Sequence, residues 1–147
     1  MSTESNVALI KKATEYWVTG RYELIFPSIA DDAIYIVGRG SLEKASPLFG
    51  TFQGKAAIKQ WYESNTTVQK AGGIRPFCTP TNLGEFVGVG DDVISYGSYP
   101  ASEGVPLSDW VAIWTVKQDM IVKCWLVMDT ATAFVRMRKA DPKLSLE

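Results

Sequence analysis

The chain has 147 residues, of which 46% are hydrophobic and 21% charged, and its formal net charge is −1. This composition suits one globular domain with a sizeable core. Because the charged residues are scattered, it excludes the clustered basic surface by which proteins bind nucleic acids or anionic membranes. Histidine is absent, which excludes imidazole-ligated metal sites and the usual catalytic triads. The two cysteines, Cys78 and Cys124, favour core thiols in a reduced compartment over a disulfide framework.

The start of the chain, MSTESN, is polar, and no apolar run approaches the roughly 18 residues of a membrane span. We therefore expect a cytoplasmic protein with no membrane partner, no nucleic-acid partner, no metal and no cofactor. Residues 1–147 are interpreted as a single domain, with residues 146–147 read as a cloning scar.

The first half of the chain is predicted to be mainly helical. Val7, Ile10, Ala13 and Trp17 recur at three- and four-residue spacing, which predicts a helix over residues 5–19. The pattern then predicts a short helix over 22–29, which Pro27 either breaks or begins anew. A strand over 33–37, a loop over 38–47 and a helix over 55–64 follow.

The second half is predicted to be mainly strands. An edge strand is expected over 74–83, and a hairpin over 85–99 turns at Gly90 and Asp91. A longer hairpin follows, with strands over 111–116 and 120–128 that are rich in β-branched and aromatic residues. The element order predicts an α+β fold in which helices cover one face of a bent, mainly antiparallel sheet.

The turn of this long hairpin predicts its register. If Gln118 and Asp119 are the loop residues, Lys117 faces Met120, and Ala112 then pairs with Trp125. One face is predicted to carry Trp110, Ala112, Trp114, Trp125, Val127 and Asp129. The other is predicted to carry Asp109, Val111, Ile113, Cys124, Leu126 and Met128. Both faces are largely apolar, so we expect helices on one and a partner subunit on the other, which predicts a homodimer through the sheet.

Asp129 ends the tryptophan face and has two interpretations. A carboxylate at the end of an aromatic stripe is a candidate pocket acid or base. The same residue precedes a helical pattern over 131–137, where an aspartate is also a good N-cap. The two roles do not exclude each other.

Three segments together resemble a known family. Residues 30–35, 50–58 and 121–129 resemble, in order and spacing, the SnoaL-like branch of the nuclear transport factor 2-like superfamily. The resemblance covers nearly the whole chain. It implies a cone-shaped fold, also described as cystatin-like, whose strongly curved sheet wraps around N-terminal helices and an apolar pocket, and it implies dimers through the sheet.

The resemblance transfers only one functional residue. The positions of the ketosteroid isomerase tyrosine and two acids fall near Ala13, Val37 and Trp110, so none of these groups is kept. Of the three catalytic positions of limonene epoxide hydrolase, this chain matches only one, at Asp129. In SnoaL-like polyketide cyclases the corresponding last-strand aspartate is the acid–base residue, which implies that role for Asp129.

Two functions therefore stay open. One is cofactor-free isomerisation, cyclisation or dehydration with Asp129 as the acid or base, and the other is a non-catalytic or accessory binder of a small apolar or aromatic molecule. Both use the same predicted pocket, whose ligand-binding residues are Tyr16, Trp17, Tyr35, Phe49, Trp61, Trp110, Trp114, Trp125 and Val127.

Overall fold

The computed structural model describes residues 2–39, 43–44, 46–71, 82–101 and 107–129, together with 135, 138 and 143. Its first helix, α1, spans Thr3–Val18 and is N-capped by Ser2, whose side chain accepts a hydrogen bond from the Ser5 amide at 3.1 Å. The apolar spacing predicted from the sequence is confirmed, because α1 buries Ile10, Ala13 and Trp17 along one stripe.

The chain between α1 and the sheet is less regular than predicted. Two short 3₁₀ helices, Tyr22–Leu24 and Phe26–Ser28, occupy the region predicted to be a short helix that Pro27 either breaks or begins anew. Pro27 lies in the second of these and lacks the amide proton that a continuous α-helix would use. Helix α2 spans Lys55–Ala71 and is longer than the predicted 55–64.

Six strands form one sheet in the order β2-β1-β6-β5-β4-β3. The strands are β1 (Ile29–Val37), β2 (Gly50–Gln53), β3 (Asn82–Val89), β4 (Asp92–Tyr99), β5 (Ser108–Lys117) and β6 (Met120–Met128). Every neighbouring pair is antiparallel except β1 and β6. The α+β cone with a mainly antiparallel sheet is confirmed.

Several sequence expectations lie outside the described residues. These are the edge strand before residue 82, the surroundings of Cys78 and the helix for which Asp129 was an N-cap candidate.

The turn between β5 and β6 forms as predicted, but the register does not continue as predicted. Gln118 and Asp119 both have positive φ angles, 50° and 64°, as a two-residue primed turn requires. Lys117 faces Met120 and Val116 faces Ile121, but Thr115 then faces Lys123, so Val122 has no residue opposite it. This β-bulge shifts the register by one residue for the rest of β6.

The predicted face assignment of β6 is therefore wrong beyond the bulge. Trp114 pairs with Cys124, Ala112 with Leu126 and Trp110 with Met128, and all six of these residues are buried. Trp125 instead pairs with Ile113, and Val127 with Val111. A one-residue shift moves every later side chain to the opposite face.

The core lies between the two helices and one face of the sheet, which we call the inner face. Helix α1 packs on β3 and β4, and α2 packs on β1 and β2. The approach of α1 depends on Gly88, because a Cβ there would collide with side-chain atoms of Thr3 and Val7. The opposite side of the sheet is the outer face.

Candidate functional site

The structure brings six of the predicted pocket residues into one buried cluster on the inner face. They are Trp17, Tyr35, Phe49, Trp61, Trp110 and Trp114. Tyr16 is half-buried beside this cluster and packs under the charged ends of Lys12 and Arg21, so it lies at the rim of the core. Helical periodicity and strand alternation are what place these aromatic residues together.

The other three predicted site residues are not in this cluster. Trp125 and Val127 lie on the outer face, 37% and 43% exposed, because of the bulge at Val122. Asp129 directly follows β6 and is exposed, and it lines a shallow outer depression of about 300 Å³ together with Asp109 and Val127. The structure therefore does not bring Asp129 onto the face that carries Trp110.

The inner-face aromatic rings pack at an angle to one another. The ring centroid of Trp17 lies 5.8 Å from that of Trp110, with 49° between the planes, and 6.1 Å from that of Trp114, nearly edge-on at 83°. Tyr99 adds a tilted contact with Trp110 at 6.4 Å. Tilted and edge-on pairs match the quadrupoles of aromatic rings and give this wall a defined shape.

Two ionisable groups of the inner face, Tyr35 and Cys124, are held in their neutral forms. Burial, and to a lesser extent Cys124, raises the pKa of Tyr35 well above its ordinary value of 10.0, while the hydrogen bond between the Tyr35 and Tyr62 hydroxyls lowers it. The hydroxyl oxygens of Tyr35 and Tyr62 lie 3.2 Å apart. Burial also raises the pKa of the Cys124 thiol. Neither residue supplies a base at neutral pH.

Two of the buried indoles have hydrogen-bond partners. The Nε1 proton of Trp61 is donated to the carbonyl oxygen of Leu48 at 2.9 Å, and that of Trp114 to Oγ of Ser95 at 3.0 Å. Most buried polar groups in proteins are satisfied in this way. These two rings are fixed parts of the core.

Apart from Oδ1 of Asn6, four other buried polar groups have no partner within the part of the chain that the structure describes. They are Nε1 of Trp17, Nε1 of Trp110, Oγ1 of Thr14 and Oγ of Ser108. We call these residues the donor cluster. Thr14 and Trp17 lie three residues apart on α1, and Ser108 and Trp110 lie two apart on the inner face of β5. Leaving a buried donor unpaired costs free energy, so such groups mark places where a ligand or water can bind.

Thr14 and Ser108 were not among the residues predicted to form the site. The alternation of β5 was a usable signal for Ser108, because it shares the face of Trp110. Nothing in the residue type of Thr14 distinguishes an unpaired hydroxyl from one that bonds its own helix backbone.

The outer face carries a second, larger depression. A groove of about 510 Å³ lies over β3, β4 and β5 and is lined by Leu83, Gly84, Tyr96, Gly97, Ser98, Asp109, Trp110 and Val111. Asp109, Trp110 and Val111 also line the smaller depression beside Asp129. The outer face is thus apolar with acidic residues at one end.

Two negative findings apply to the described residues. They contain no group of three or more histidine, cysteine, aspartate or glutamate side chains that could hold a metal ion. They also contain no helix with the length and hydropathy needed to cross a membrane.

The topology of the described residues, with α1 and α2 packed against a curved sheet, is shared by solved structures of low sequence identity. A protein described as nuclear transport factor 2-like from Burkholderia xenovorans is 21% identical, with 90% of this chain and 95% of that chain covered, at a TM-score of 0.62. The chain has the nuclear transport factor 2-like fold. TerC, co-crystallised with polyporic acid, has this fold at 22% identity and a TM-score of 0.70, with 90% of this chain and 98% of TerC covered.

IdmH, a proposed polyketide cyclase from Streptomyces antibioticus, is 16% identical, with 90% of this chain and 97% of IdmH covered, at a TM-score of 0.62. This neighbour agrees with the SnoaL-like resemblance in the sequence. No protein-family model and no curated protein matches the chain. At these identities the likeness establishes the fold, and function has to be argued from the residues.

Proposed function

We propose that the chain is a non-catalytic binding protein for a small, mainly aromatic molecule that lies against the inner face at the donor cluster. The observation that carries the proposal is the pair of buried, unpartnered indole N–H groups of Trp17 and Trp110. An apolar wall with a few placed polar groups is the usual composition of a small-molecule site. The co-crystallisation of TerC with polyporic acid supports ligand binding within this fold.

The catalytic alternative would use Asp129 as the acid or base. A general base must lie within hydrogen-bond reach of the proton that it removes. Asp129 is exposed beside Asp109 and Val127, so it would act on a molecule bound to the outer face, while the buried polar residues described on the inner face are all uncharged. We therefore favour binding without turnover.

The neutral dye N-phenyl-1-naphthylamine, which fluoresces in apolar surroundings, tests this proposal. We expect saturable binding of one dye per chain, lost in Ser108→Phe, because a phenyl ring at this inner-face position, opposite Tyr99 and two residues from Trp110, would occupy the site proposed for the dye. The outer-face variant Val127→Glu is the matched control and should bind normally. Full binding by a folded Ser108→Phe variant would show that the ligand does not bind at the donor cluster.

The Asp129→Asn variant separates the two functions. The amide is nearly isosteric with the carboxylate but cannot accept a proton at neutral pH, so a binding protein should keep its full dye affinity. A loss of dye binding in this variant would show that Asp129 takes part in ligand binding and would favour its role as an acid or base.

We further propose a homodimer through the outer face. Val111, Trp125 and Val127 form neighbouring cross-strand pairs there and are 37–43% exposed. Exposed apolar patches of this kind are typical of protein interfaces. Sedimentation should give a dimer at micromolar concentration for the wild type and a monomer for Val127→Glu. A wild-type monomer would refute this.

A further inference from the structure

A groove of about 280 Å³ lies between α1 and the two 3₁₀ helices that follow it. Its lining includes the aliphatic side chains of Leu9, Ala13, Leu24 and Ile25. Ala13 and Ile25 are buried and form its floor, while Leu24 is 43% exposed, so the apolar surface continues out to solvent. A hydrocarbon group that covered this surface would remove it from water, which is favourable.

The groove is separate from the ligand site proposed above. Thr14 and Trp17 of the donor cluster point into the core, whereas Leu9 and Tyr16 of the groove lie on a neighbouring stripe of α1 and are half-buried. Successive side chains of an α-helix point about 100° apart, so one helix can contribute to two sites. A ligand in this groove would not touch the inner face.

Two cations lie beside one aromatic ring at this groove. Nζ of Lys12 is 5.9 Å from the ring centroid of Tyr16, and Cζ of Arg21 is 5.4 Å from it. Contact with the electron-rich face of a tyrosine holds a cation in place. Lys12 and Tyr16 both line the groove, and none of its described lining residues is acidic. The two outer-face depressions are lined by Asp109 instead.

The counter-charge at the groove is incomplete. Oε1 of Glu15 lies 3.9 Å from Nη2 of Arg21, and the two side chains are 65% and 52% exposed. An ion pair at this distance and exposure contributes little binding free energy, so it leaves the arginine available to a second anion. Lys12 and Arg21 against Glu15 leave one net positive charge, which a singly charged anion matches.

We propose that this groove binds a monocarboxylate with a short aliphatic tail. The tail covers Leu24 and lies on the floor of Ala13 and Ile25, and the carboxylate lies beside the ammonium group of Lys12. Ser28 also lines the groove, and its hydroxyl can donate a hydrogen bond to the carboxylate. The groove is slightly smaller than the roughly 300–1,000 Å³ of pockets for drug-sized ligands, so the tail is short.

This site goes beyond the function proposed above and does not depend on it. The neutral aromatic ligand of the donor cluster and the carboxylate of the groove differ in charge, in shape and in the stripe of α1 that they contact.

Octanoate and octanamide form a matched pair for the test, because they share one alkyl chain and differ in the charge of the head group at neutral pH. Each is titrated into ¹⁵N-labelled protein, and the amide resonances are followed by NMR. We expect saturable shifts at millimolar or lower concentration, largest at Ala13, Tyr16 and residues 24–28. Octanoate should bind about 5-fold more tightly than octanamide, the upper value for an exposed ion pair. Added salt should reduce this preference.

The variants locate the head group and the tail. Lys12→Gln should lower the octanoate preference to about 2-fold or less, because it removes the cation that lines the groove. Lys59→Gln is the matched control, since Nζ of Lys59 also lies 5.9 Å from a ring centroid, that of Phe26, but Lys59 does not line the groove. It should keep the full preference. Leu24→Ser should weaken both compounds alike, because it removes apolar surface and no charge.

The outcomes separate this inference from the proposed function. Equal affinities for octanoate and octanamide overturn the carboxylate site, and so does a full preference in Lys12→Gln or a loss of preference in Lys59→Gln. The absence of octanoate binding, or shifts centred on Trp17 and Trp110 with displacement of N-phenyl-1-naphthylamine, also overturns it. Binding of the dye itself tests only the donor cluster, and octanoate bound in the groove should leave the dye in place.

Discussion

Replacing two tryptophans by phenylalanine should have unequal effects on stability, although both lie in the same core. Trp110 and Trp114 lie on the inner face of β5, and they are 1% and 0% exposed. Each substitution removes the same ring volume and a similar apolar area. The comparison therefore isolates the fate of the indole N–H, which is bonded to Ser95 in one case and unpartnered in the other.

The expected difference follows from the cost of unpaired buried groups. Trp114→Phe removes the donor from the buried hydroxyl of Ser95, which costs about 1–3 kcal/mol beyond the lost volume. Trp110→Phe removes a donor that was already unpaired, so the variant recovers a similar amount. Trp114→Phe should accordingly lower the free energy of unfolding by roughly 2–6 kcal/mol more than Trp110→Phe.

Urea unfolding of the ligand-free protein, followed by far-ultraviolet circular dichroism, measures both free energies. In a domain of this size each kcal/mol also corresponds to a melting-temperature change of roughly 2–4 °C. Equal costs for the two variants, within about 0.5 kcal/mol, would refute the argument. That result would mean that the Trp110 N–H is satisfied in the free protein and is not available to a ligand.

Two further predictions concern packing and pH. Gly88→Ala should lower the free energy of unfolding in urea by about 1–3 kcal/mol, because the new Cβ collides with Thr3. Thr3→Ser should restore part of this stability, because it removes the nearest methyl group. An unchanged free energy in Gly88→Ala would mean that α1 moves freely. In a Cys78→Ser background, stability should decrease above pH 9 by up to about 1.4 kcal/mol per pH unit, because the Cys124 thiol ionises in the unfolded chain near its ordinary value of 9.0 but stays protonated in the fold. Cys124→Ala should show a shallower decrease, and an identical slope would contradict the assignment.

Much of the fold could be predicted because local signals agreed with tertiary packing. The spacing of Ile10, Ala13 and Trp17 predicted α1, and the inner face of β5 followed from simple alternation. The turn at Gln118 and Asp119 was also identified correctly, since only a two-residue loop joins the flanking apolar runs.

The register of β6 could not be predicted in the same way. A turn fixes only the first rungs of a hairpin, and a bulge leaves no local signature when the residues on both sides of it are apolar. Met120, Ile121 and Val122 would suit either face. The error placed Trp125 and Asp129 on the inner face, although six of the nine predicted ligand-binding residues do lie together in the core.

The donor cluster could not be predicted from the sequence, for a different reason. Whether an indole N–H is bonded depends on the position of a single oxygen atom from a distant element. Trp61 finds such an oxygen in Leu48, while Trp17 does not find one among the described residues. Residue type and periodicity are the same in both cases, so only the three-dimensional arrangement separates a structural tryptophan from a candidate ligand contact.

The bulge at Val122 decides which of two sets of β6 side chains faces the interior. With it, Cys124, Leu126 and Met128 face the core; in a regular ladder of the same length, where Val122 would pair with Thr115, Trp125, Val127 and Asp129 would face it instead. Hydropathy hardly distinguishes the two sets, but the second would carry a carboxylate inwards, so Asp129 helps to select the first. Deleting Val122 should remove the bulge and leave Lys123 opposite Thr115, so Cys124 should stay buried and unreactive towards Ellman's reagent in a Cys78→Ser background. A reactive thiol in a folded deletion variant would contradict this register. Loss of the bulge without loss of a residue would instead exchange the lining of the cone without changing the fold.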